Sequence, residues 1–143
     1  MKLKLIYPDL PFWRAETSRL ALFIGEIEFE DYRPSREEIA KMRTEGVFPF
    51  GQFPVLQVDD KTIAQTGAIA RFCGKLGGLY PTENDFYAAK VDEVIDLATD
   101  ITGKIRPSLK KKILKKGWKC EENFGDRSPE LAGFHGDIAG EKW

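Results

Sequence analysis

Residues 48–72, FPFGQFPVLQVDDKTIAQTGAIARF, contain the signals that decide the fold of this chain. The runs VLQV at 55–58 and KTI at 61–63 flank an Asp-Asp pair, a pattern that predicts a β-hairpin. The AIARFCGKL that follows repeats its apolar residues at helical spacing until Gly77-Gly78, which is a typical helix end. The stretch therefore predicts two antiparallel strands followed by a helix.

A strand, a helix and a second strand are predicted ahead of this hairpin. The apolar run LKLIY at 3–7 stops at a proline and indicates a buried strand. RAETSRLALFIG at 14–25 indicates a helix that ends at a glycine, and residues 28–33 indicate the second strand. Such a unit places its two strands in parallel. Three apolar residues share one face of the helix: Leu20, Phe23 and Ile24.

A polar helix connects this unit to the hairpin. Ser35 followed by Glu38 forms a capping-box pattern, which predicts a helix from there to about Gly46. The complete order is then βαβαββα, and it matches a thioredoxin-like α/β fold, a mixed four-stranded sheet with helices on its faces. We expect residues 1–81 to form this N-terminal domain, with Tyr80-Pro81 as a linker.

A second, helical region is predicted from residue 85 to 143, so the fold class is an α/β domain followed by a truncated all-α region. One long amphipathic helix is expected over 85–107, ended by Pro107. From 108 onward, a lysine-rich run and scattered glycines show no sustained period, which favours an irregular, partly disordered tail. A basic docking site is the alternative, although lysine runs are usually solvated. The apolar positions of the long helix are Tyr87, Val91, Val94, Ile95, Ala98, Ile101 and Ile105.

The charge composition narrows the classes of partner. Lysine plus arginine number 22 and aspartate plus glutamate 23, so the net field attracts neither nucleic acid nor an anionic membrane. No apolar run approaches the roughly 18 residues of a membrane span or forms a signal sequence. Cys73 and Cys120 have neither a CxxC nor a metal-ligand spacing. These features predict a reducing, cytoplasmic setting and small-molecule or protein partners.

Three places along the chain carry candidate chemistry. Tyr7 ends the first strand at the edge where α/β sheets bind ligands, although a tyrosine there is more often a core aromatic. Phe53-Pro54 precedes a strand, where a plain trans turn is the commoner arrangement and a cis bond that presents the Phe53 backbone to a peptide is the alternative. Gln65-Thr66 opens the last helix of the domain, so Thr66 is expected as its N-cap, and that helix end can also receive a carboxylate.

Taken together, five segments resemble the cytosolic glutathione transferases, most nearly the sigma class. They are the strand-ending Tyr7, WRAETSRLAL, PFGQFPVLQVD, AQTGAIARF and AAKVDEVID, in the family's order between residues 3 and 105. The resemblance implies that Tyr7 is the catalytic tyrosine, whose hydroxyl donates a hydrogen bond to the sulfur of bound glutathione. It also implies a glutathione-binding site formed by Arg14, Lys41, Gln52, Phe53, Pro54, Gln65, Thr66 and Asp100.

Each of these residues has a role that the resemblance implies. Phe53 pairs through its backbone with the cysteinyl residue of glutathione and is held by a cis Pro54. Gln65 and Thr66 hold the γ-glutamyl end of the tripeptide.

The remaining implied contacts come from other segments. Gln52 and Arg14 help to fix the tripeptide and the surroundings of the catalytic tyrosine. Asp100 matches an acidic residue that reaches the γ-glutamyl amine in the partner subunit's site. Lys41 substitutes for the tryptophan and lysine that often contact the glycine end of glutathione, since the helix over 35–46 lacks that tryptophan.

The implied function is transfer of glutathione, the co-substrate, to small electrophiles, as in detoxification. A thiol of pKa about 8.5 is only a few per cent ionised near neutral pH, and each unit of pKa lowering requires about 1.4 kcal/mol. A hydroxyl hydrogen bond aimed at the sulfur and a nearby helix N-terminus supply one to two units. The chemistry requires no metal. The resemblance also implies a homodimer.

Other functions remain open beside glutathione transfer. The chain is alternatively a catalytically weak or inactive glutathione-binding or structural protein, or a glutathione-dependent isomerase of the prostaglandin-synthase type. A thiol–disulfide oxidoreductase is disfavoured because no cysteine lies near residues 7–14. Family members continue through several more helices, whereas the recognisable pattern here stops near Leu109. We therefore expect an incomplete electrophile pocket and an exposed apolar side on the helix over 85–107.

Overall fold

The computed structural model of the protein describes residues 1–9 and 14–115, and the side chains of 1–9 and 14–105. Over these ranges the chain forms an α/β unit and one long helix, and the predicted βαβαββα order is confirmed. The predicted tail beyond residue 115 lies outside the described residues. The elements are β1 (Leu3–Ile6), α1 (Glu16–Ile24), β2 (Glu30–Tyr32), α2 (Arg36–Thr44), β3 (Val55–Val58), β4 (Lys61–Ala64), α3 (Thr66–Leu76) and α4 (Asp85–Lys115).

The four strands form one mixed sheet in the order β2-β1-β3-β4. β1 and β2 are parallel, as the βαβ pattern predicts, and β3 and β4 form the predicted antiparallel hairpin. β3 also pairs antiparallel with β1, which places the segment before β3 beside the end of β1. Tyr7 continues the line of β1, because its backbone N–H donates to the Tyr32 carbonyl at 3.1 Å.

Helices cover both faces of the sheet, and the alternation along β1 sets which side chains they meet. Leu3, Leu5 and Tyr7 lie on one face and pack with residues of α1 and α3, including Leu22 and Ile69. The opposite face carries a second, smaller cluster. Its buried members are Ile6, Ile39, Phe48 and Val55. The sheet is therefore enclosed by α1 and α3 on one side and by α2 on the other.

The predicted capping box at the start of α2 is present. The Ser35 hydroxyl accepts from the Glu38 backbone N–H at 3.2 Å, and the Glu38 carboxylate accepts from the Ser35 N–H at 2.7 Å. These two bonds satisfy donors that the first turn of a helix leaves unpaired. The pKa of the Glu38 carboxyl is lowered, first by the Ser35 N–H and then by the Tyr32 hydroxyl.

The apolar face of α1 points to solvent rather than into the core. Leu20, Phe23 and Ile24 are 56%, 78% and 60% exposed. The buried positions are instead Ser18, Arg19, Ala21 and Leu22. The reason is close packing: Ala21 and Gly25 are small enough to let α1 approach α3, and the two helices nearly touch at their C-terminal ends, Gly25 against Gly77. Hydrophobicity alone therefore indicates the wrong buried face for this helix.

Substitution of Gly25 tests this close approach. A methyl group added there would lie 2.3 Å from the Gly77 Cα, so Gly25→Ala is expected to lower the free energy of unfolding by about 1–3 kcal/mol, the usual effect of overpacking. The φ of Gly25 is −78°, which alanine adopts freely, so the loss is steric. Gly103→Ala is the matched control, because nothing lies within 4 Å of its added methyl and helix propensity favours alanine by about 0.5–1 kcal/mol. Urea unfolding measures both; an unchanged Gly25→Ala midpoint would contradict the contact.

The long helix does not end at Pro107. α4 runs from Asp85 to Lys115, so the predicted end at Pro107 and the predicted irregular start at 108 are both wrong. A proline inside a helix removes one hydrogen bond and costs about 3 kcal/mol. Leucine and lysine are good helix formers, and the run LKKKILK that follows the proline supplies them. Good helix formers after the proline are compatible with a helix that continues through it.

Three side-chain contacts attach α4 to the α/β unit. Arg71 on α3 donates to Asp92 at 2.5 Å and to Asp96 at 2.9 Å, and the Tyr80 hydroxyl donates to Asp92 at 3.1 Å. The side chain of Asn84 caps the helix by accepting from the Tyr87 N–H at 3.1 Å. The expected exposed apolar side of α4 is also present. Its large members include Tyr87, Val94, Leu97, Ile101 and Ile105, which are 44–63% exposed.

Candidate glutathione site

Three segments of the chain meet at one small pocket of about 40 Å³. They are Arg14, two residues before α1, the segment that leads into β3, and the turn from β4 into α3. Because β3 lies beside β1, this pocket is next to the end of β1, where Tyr7 lies. The residues lining it are Arg14, Phe50, Gln52, Phe53, Pro54, Ala64, Gln65 and Thr66. Six of these eight are residues that the sequence predicts for the site.

The segment before β3 forms one wall of the pocket. Its Phe53–Pro54 peptide bond is cis, the conformation that the resemblance implies and that the dipeptide alone does not favour. The Phe53 ring packs edge-on between two other rings, 5.7 Å from Tyr7 and 6.1 Å from Phe48. Gly51 has a φ of +61°, which favours glycine at this turn. The wall is therefore fixed against the core by aromatic packing.

The opposite wall is the start of α3. Thr66 is the first helical residue and Gln65 occupies the N-cap position, so the expected assignment of Thr66 as N-cap is wrong by one residue. Gln65 has φ 76° and ψ 126°, a combination that residues with a Cβ rarely adopt. The first turn of α3 contains no acidic residue, so no carboxylate of that turn neutralises its positive dipole end. This end of the helix can receive an anion.

Tyr7 lies behind Phe53 and is almost completely buried, with 1% of its surface exposed. Burial raises the pKa of its hydroxyl, and the negative charge of Glu16 raises it further. The Arg14 backbone N–H, which donates to the hydroxyl oxygen, lowers the pKa, as do the positive charges of Arg14 and Arg19. The net result is a raised pKa. Tyr7 is therefore a neutral phenol near neutral pH, able to donate its proton in a hydrogen bond.

Two predicted site residues lie away from this pocket. Lys41 is exposed on α2 and faces Glu45 at 3.7 Å. Asp100 is exposed on α4. Neither side chain lines the pocket formed within this chain. The role that the resemblance implies for Asp100 lies in a partner subunit's site.

Sequence reasoning missed three residues at this site. Phe50 and Ala64 line the pocket, and Arg19 lies against the Tyr7 ring with its guanidinium carbon 5.7 Å from the ring centre. The signal for Phe50 is its place beside the Gly51 turn. For Arg19 the sequence RAETSR gives no comparable signal, because an arginine in a helix usually lies in solvent.

Other reactive groups are not gathered at this pocket. Cys73 is fully buried in the core, and burial raises the pKa of its thiol to about 11, so it is a protonated core side chain at neutral pH. Among residues 1–9 and 14–115, no three His, Cys, Asp or Glu side chains are grouped as a metal ion would require. None of the helices in that part of the chain is both long and apolar enough to cross a membrane.

Comparison with known proteins agrees with the geometry. Residues 3–74 match the model of the glutathione S-transferase N-terminal domain. The chain is 34% identical over 120 residues to Glutathione S-transferase 2 of Manduca sexta, which covers 82% of this chain and 56% of that protein.

Solved structures give the same result. The glutathione S-transferase from Ascaris lumbricoides superposes with a TM-score of 0.70 at 32% identity, covering 82% of this chain and 54% of its own. The monomeric Na-GST-3 from the hookworm Necator americanus gives 0.69 at 39%, covering 79% and 53%. The chain spans about half the length of these relatives. Because the family model matches half of the chain, from β1 into α3, the protein belongs to the glutathione S-transferase family.

Proposed function

We propose that this protein binds glutathione across the pocket between Phe53 and Thr66 and activates its thiol through Tyr7 for conjugation to small electrophiles. The observation that carries the proposal is the convergence of six side chains from three segments beside a buried, protonated tyrosine. A volume of about 40 Å³ accommodates a carboxylate-sized group rather than a whole tripeptide. Glutathione would therefore lie over the surface with its γ-glutamyl carboxylate inserted.

The start of α3 supplies the anchor for that carboxylate. Its backbone N–H groups and the Thr66 hydroxyl are donors, and the helix dipole adds positive potential. The Gln65 side chain would contact the same γ-glutamyl end, and the Phe53 backbone would pair with the cysteinyl residue. This arrangement directs the thiol toward the end of β1, where Tyr7 lies.

Tyr7 would then act on the thiol as a hydrogen-bond donor. The neutral phenol stabilises the thiolate more than the thiol, so it lowers the thiol pKa and raises the fraction of nucleophile at neutral pH. The thiolate attacks an electrophilic carbon, a C–S bond forms, and the leaving group departs with its electron pair. The thiol proton is released to water, and the roles assigned to this chain's residues are to bind glutathione and to stabilise its thiolate.

The cellular location and the oligomeric state are proposed together with this function. We expect a cytoplasmic protein and a homodimer, in which Asp100 reaches the γ-glutamyl amine in the partner subunit's site. The exposed apolar residues Val94 and Leu97 on the same helix support an interface there. The hookworm relative Na-GST-3, in contrast, is monomeric. Sedimentation velocity decides between the two states.

Calorimetry with reduced glutathione, followed by conjugation to a generic aryl halide, tests the proposal. We expect saturable binding and enzyme-dependent conjugation. The dipeptide Cys-Gly is the control ligand, and it should not bind because it lacks the γ-glutamyl carboxylate. Binding without conjugation would identify a glutathione-binding protein without turnover, and absence of binding would overturn the proposed site.

A further inference from the structure

A buried cation lies directly against the Tyr7 ring. The Arg19 side chain is 10% exposed, and its guanidinium carbon is 5.7 Å from the ring centre, within the range of a cation–π contact. A charge removed from water requires partners. Arg19 has two, since its Nη1 donates to Glu16 and its Nε and Nη2 face one Asp31 oxygen at 3.0 Å and 2.9 Å. The guanidinium is thus fixed in one position against the ring.

The same Asp31 is linked to the loop that follows Tyr7. Its second oxygen accepts from Arg33 Nε at 2.9 Å and lies 2.8 Å from Arg33 Nη2. Arg33 in turn donates from Nη1 to Asp9 at 2.7 Å. Asp9 is two residues beyond the tyrosine. The Asp31 carboxylate on β2 is therefore connected both to the Arg19 guanidinium and to the segment that follows Tyr7.

We propose that Arg19, held by Asp31, is a positioning residue for Tyr7: it fixes the plane of the ring and supplies positive potential at the phenol. The consequence of Arg19 for catalysis rests on the proposed function, whereas its effect on the titration of Tyr7 does not. The groups whose charge acts on the Tyr7 hydroxyl are Arg14 and Arg19, which favour the ionised form, and Glu16, which disfavours it.

Substitutions of Arg19 and Glu16 should shift the Tyr7 titration midpoint in opposite directions. Arg19→Gln removes the cation and keeps polar contacts, so the Tyr7 titration midpoint should rise. Glu16→Gln removes the opposing charge, so the midpoint should fall. Loss of local order would move both variants in the same direction, and this separates an electrostatic role from a merely structural one. Arg19→Lys restores the charge without the forked geometry and should recover part of the shift.

The measurement is the difference absorbance of tyrosinate against pH, without glutathione. The chain has four tyrosines, so each variant is paired with the same variant carrying Tyr7→Phe, and subtraction isolates Tyr7. Circular dichroism across the titration verifies that the fold persists. Should Arg19→Gln fail to fold, the Glu16→Gln and Arg19→Lys pair still gives two signed results. An unchanged midpoint, or shifts of the same sign for Arg19→Gln and Glu16→Gln, would overturn the proposal.

Kinetics provide the second readout where conjugation is observed. Arg19→Gln should lower kcat about 3- to 10-fold while KM for glutathione stays within about twofold, because a less acidic Tyr7 hydroxyl donates a weaker hydrogen bond to the thiolate. A rise in KM with unchanged kcat would contradict the positioning role. If the protein does not conjugate glutathione at all, the titration result stands by itself, so the two proposals fail separately.

Discussion

Tyr7→Phe is expected to retain glutathione binding and to lower the conjugation rate by about 10- to 100-fold. A hydrogen bond to a charged group contributes about 1.5–3 kcal/mol, and each 1.4 kcal/mol of lost thiolate stabilisation is one unit of thiol pKa. The loss should therefore fall on kcat rather than on affinity. Because the thiol pKa rises, the pH at which the rate reaches half of its maximum should move upward by one to two units.

The measurement compares the pH–rate profile of aryl halide conjugation with calorimetric affinity for glutathione. Tyr87→Phe is the matched control, since it removes the same hydroxyl from an exposed ring on α4 and should leave both quantities unchanged. Tyr7→Phe also leaves the Arg14 N–H without its acceptor, so a small loss of stability is expected as well. Full activity in Tyr7→Phe, with binding intact, would contradict the assigned role.

Gln65→Gly is expected to stabilise the fold while weakening glutathione binding about 10-fold or more. Its φ of 76° and ψ of 126° cost a residue with a Cβ about 1–3 kcal/mol, and glycine avoids that strain at an entropic cost of about 0.5–1 kcal/mol. The net change should be a gain of about 1 kcal/mol. Removal of the amide side chain, in contrast, deletes a hydrogen bond to the charged γ-glutamyl end, which contributes about 1.5–3 kcal/mol.

The distinguishing result for Gln65→Gly is a gain in stability together with a loss of affinity for glutathione. Glu26→Gly is the control, because Glu26 has a positive φ of 54° and is not among the residues lining the pocket. It should relieve strain without changing affinity. Thermal unfolding gives the stabilities and calorimetry gives the affinities. Gln65→Gly with unchanged glutathione affinity would remove Gln65 from the binding site, and a loss of stability would show that its backbone is not strained.

Helices α1 and α4 show what an apolar sequence pattern predicts and what it leaves undetermined. In both helices the apolar periodicity is present, and in both a large part of the apolar surface is exposed: Phe23 on α1 and Val94 on α4 are 78% and 63% exposed. Periodicity finds the helix but does not say what covers its apolar face. On α1 the covered face was decided by the small residues that fit against α3.

The candidate site likewise combines residues that were predicted with a residue that only the structure revealed. Six of the predicted residues surround one pocket, yet they were identified through a family resemblance that fixes their order along the chain, while their residue types alone favoured plainer roles. Phe53-Pro54 is the clearest case, since the dipeptide alone favours trans and the bond is cis. Arg19 was not predicted at all. Its partners are Glu16, one turn away, and Asp31, on a different element.

The sequence by itself determined the order of strands and helices, the hairpin and the capping box of α2. These depend on interactions between residues near one another along the chain. Only the tertiary structure decided which face of α1 is buried, and that Arg19 lies against Tyr7 with Asp31 fixing it. Those features depend on distances between segments far apart in sequence, such as Gly25 and Gly77, and packing, not local pattern, sets such distances.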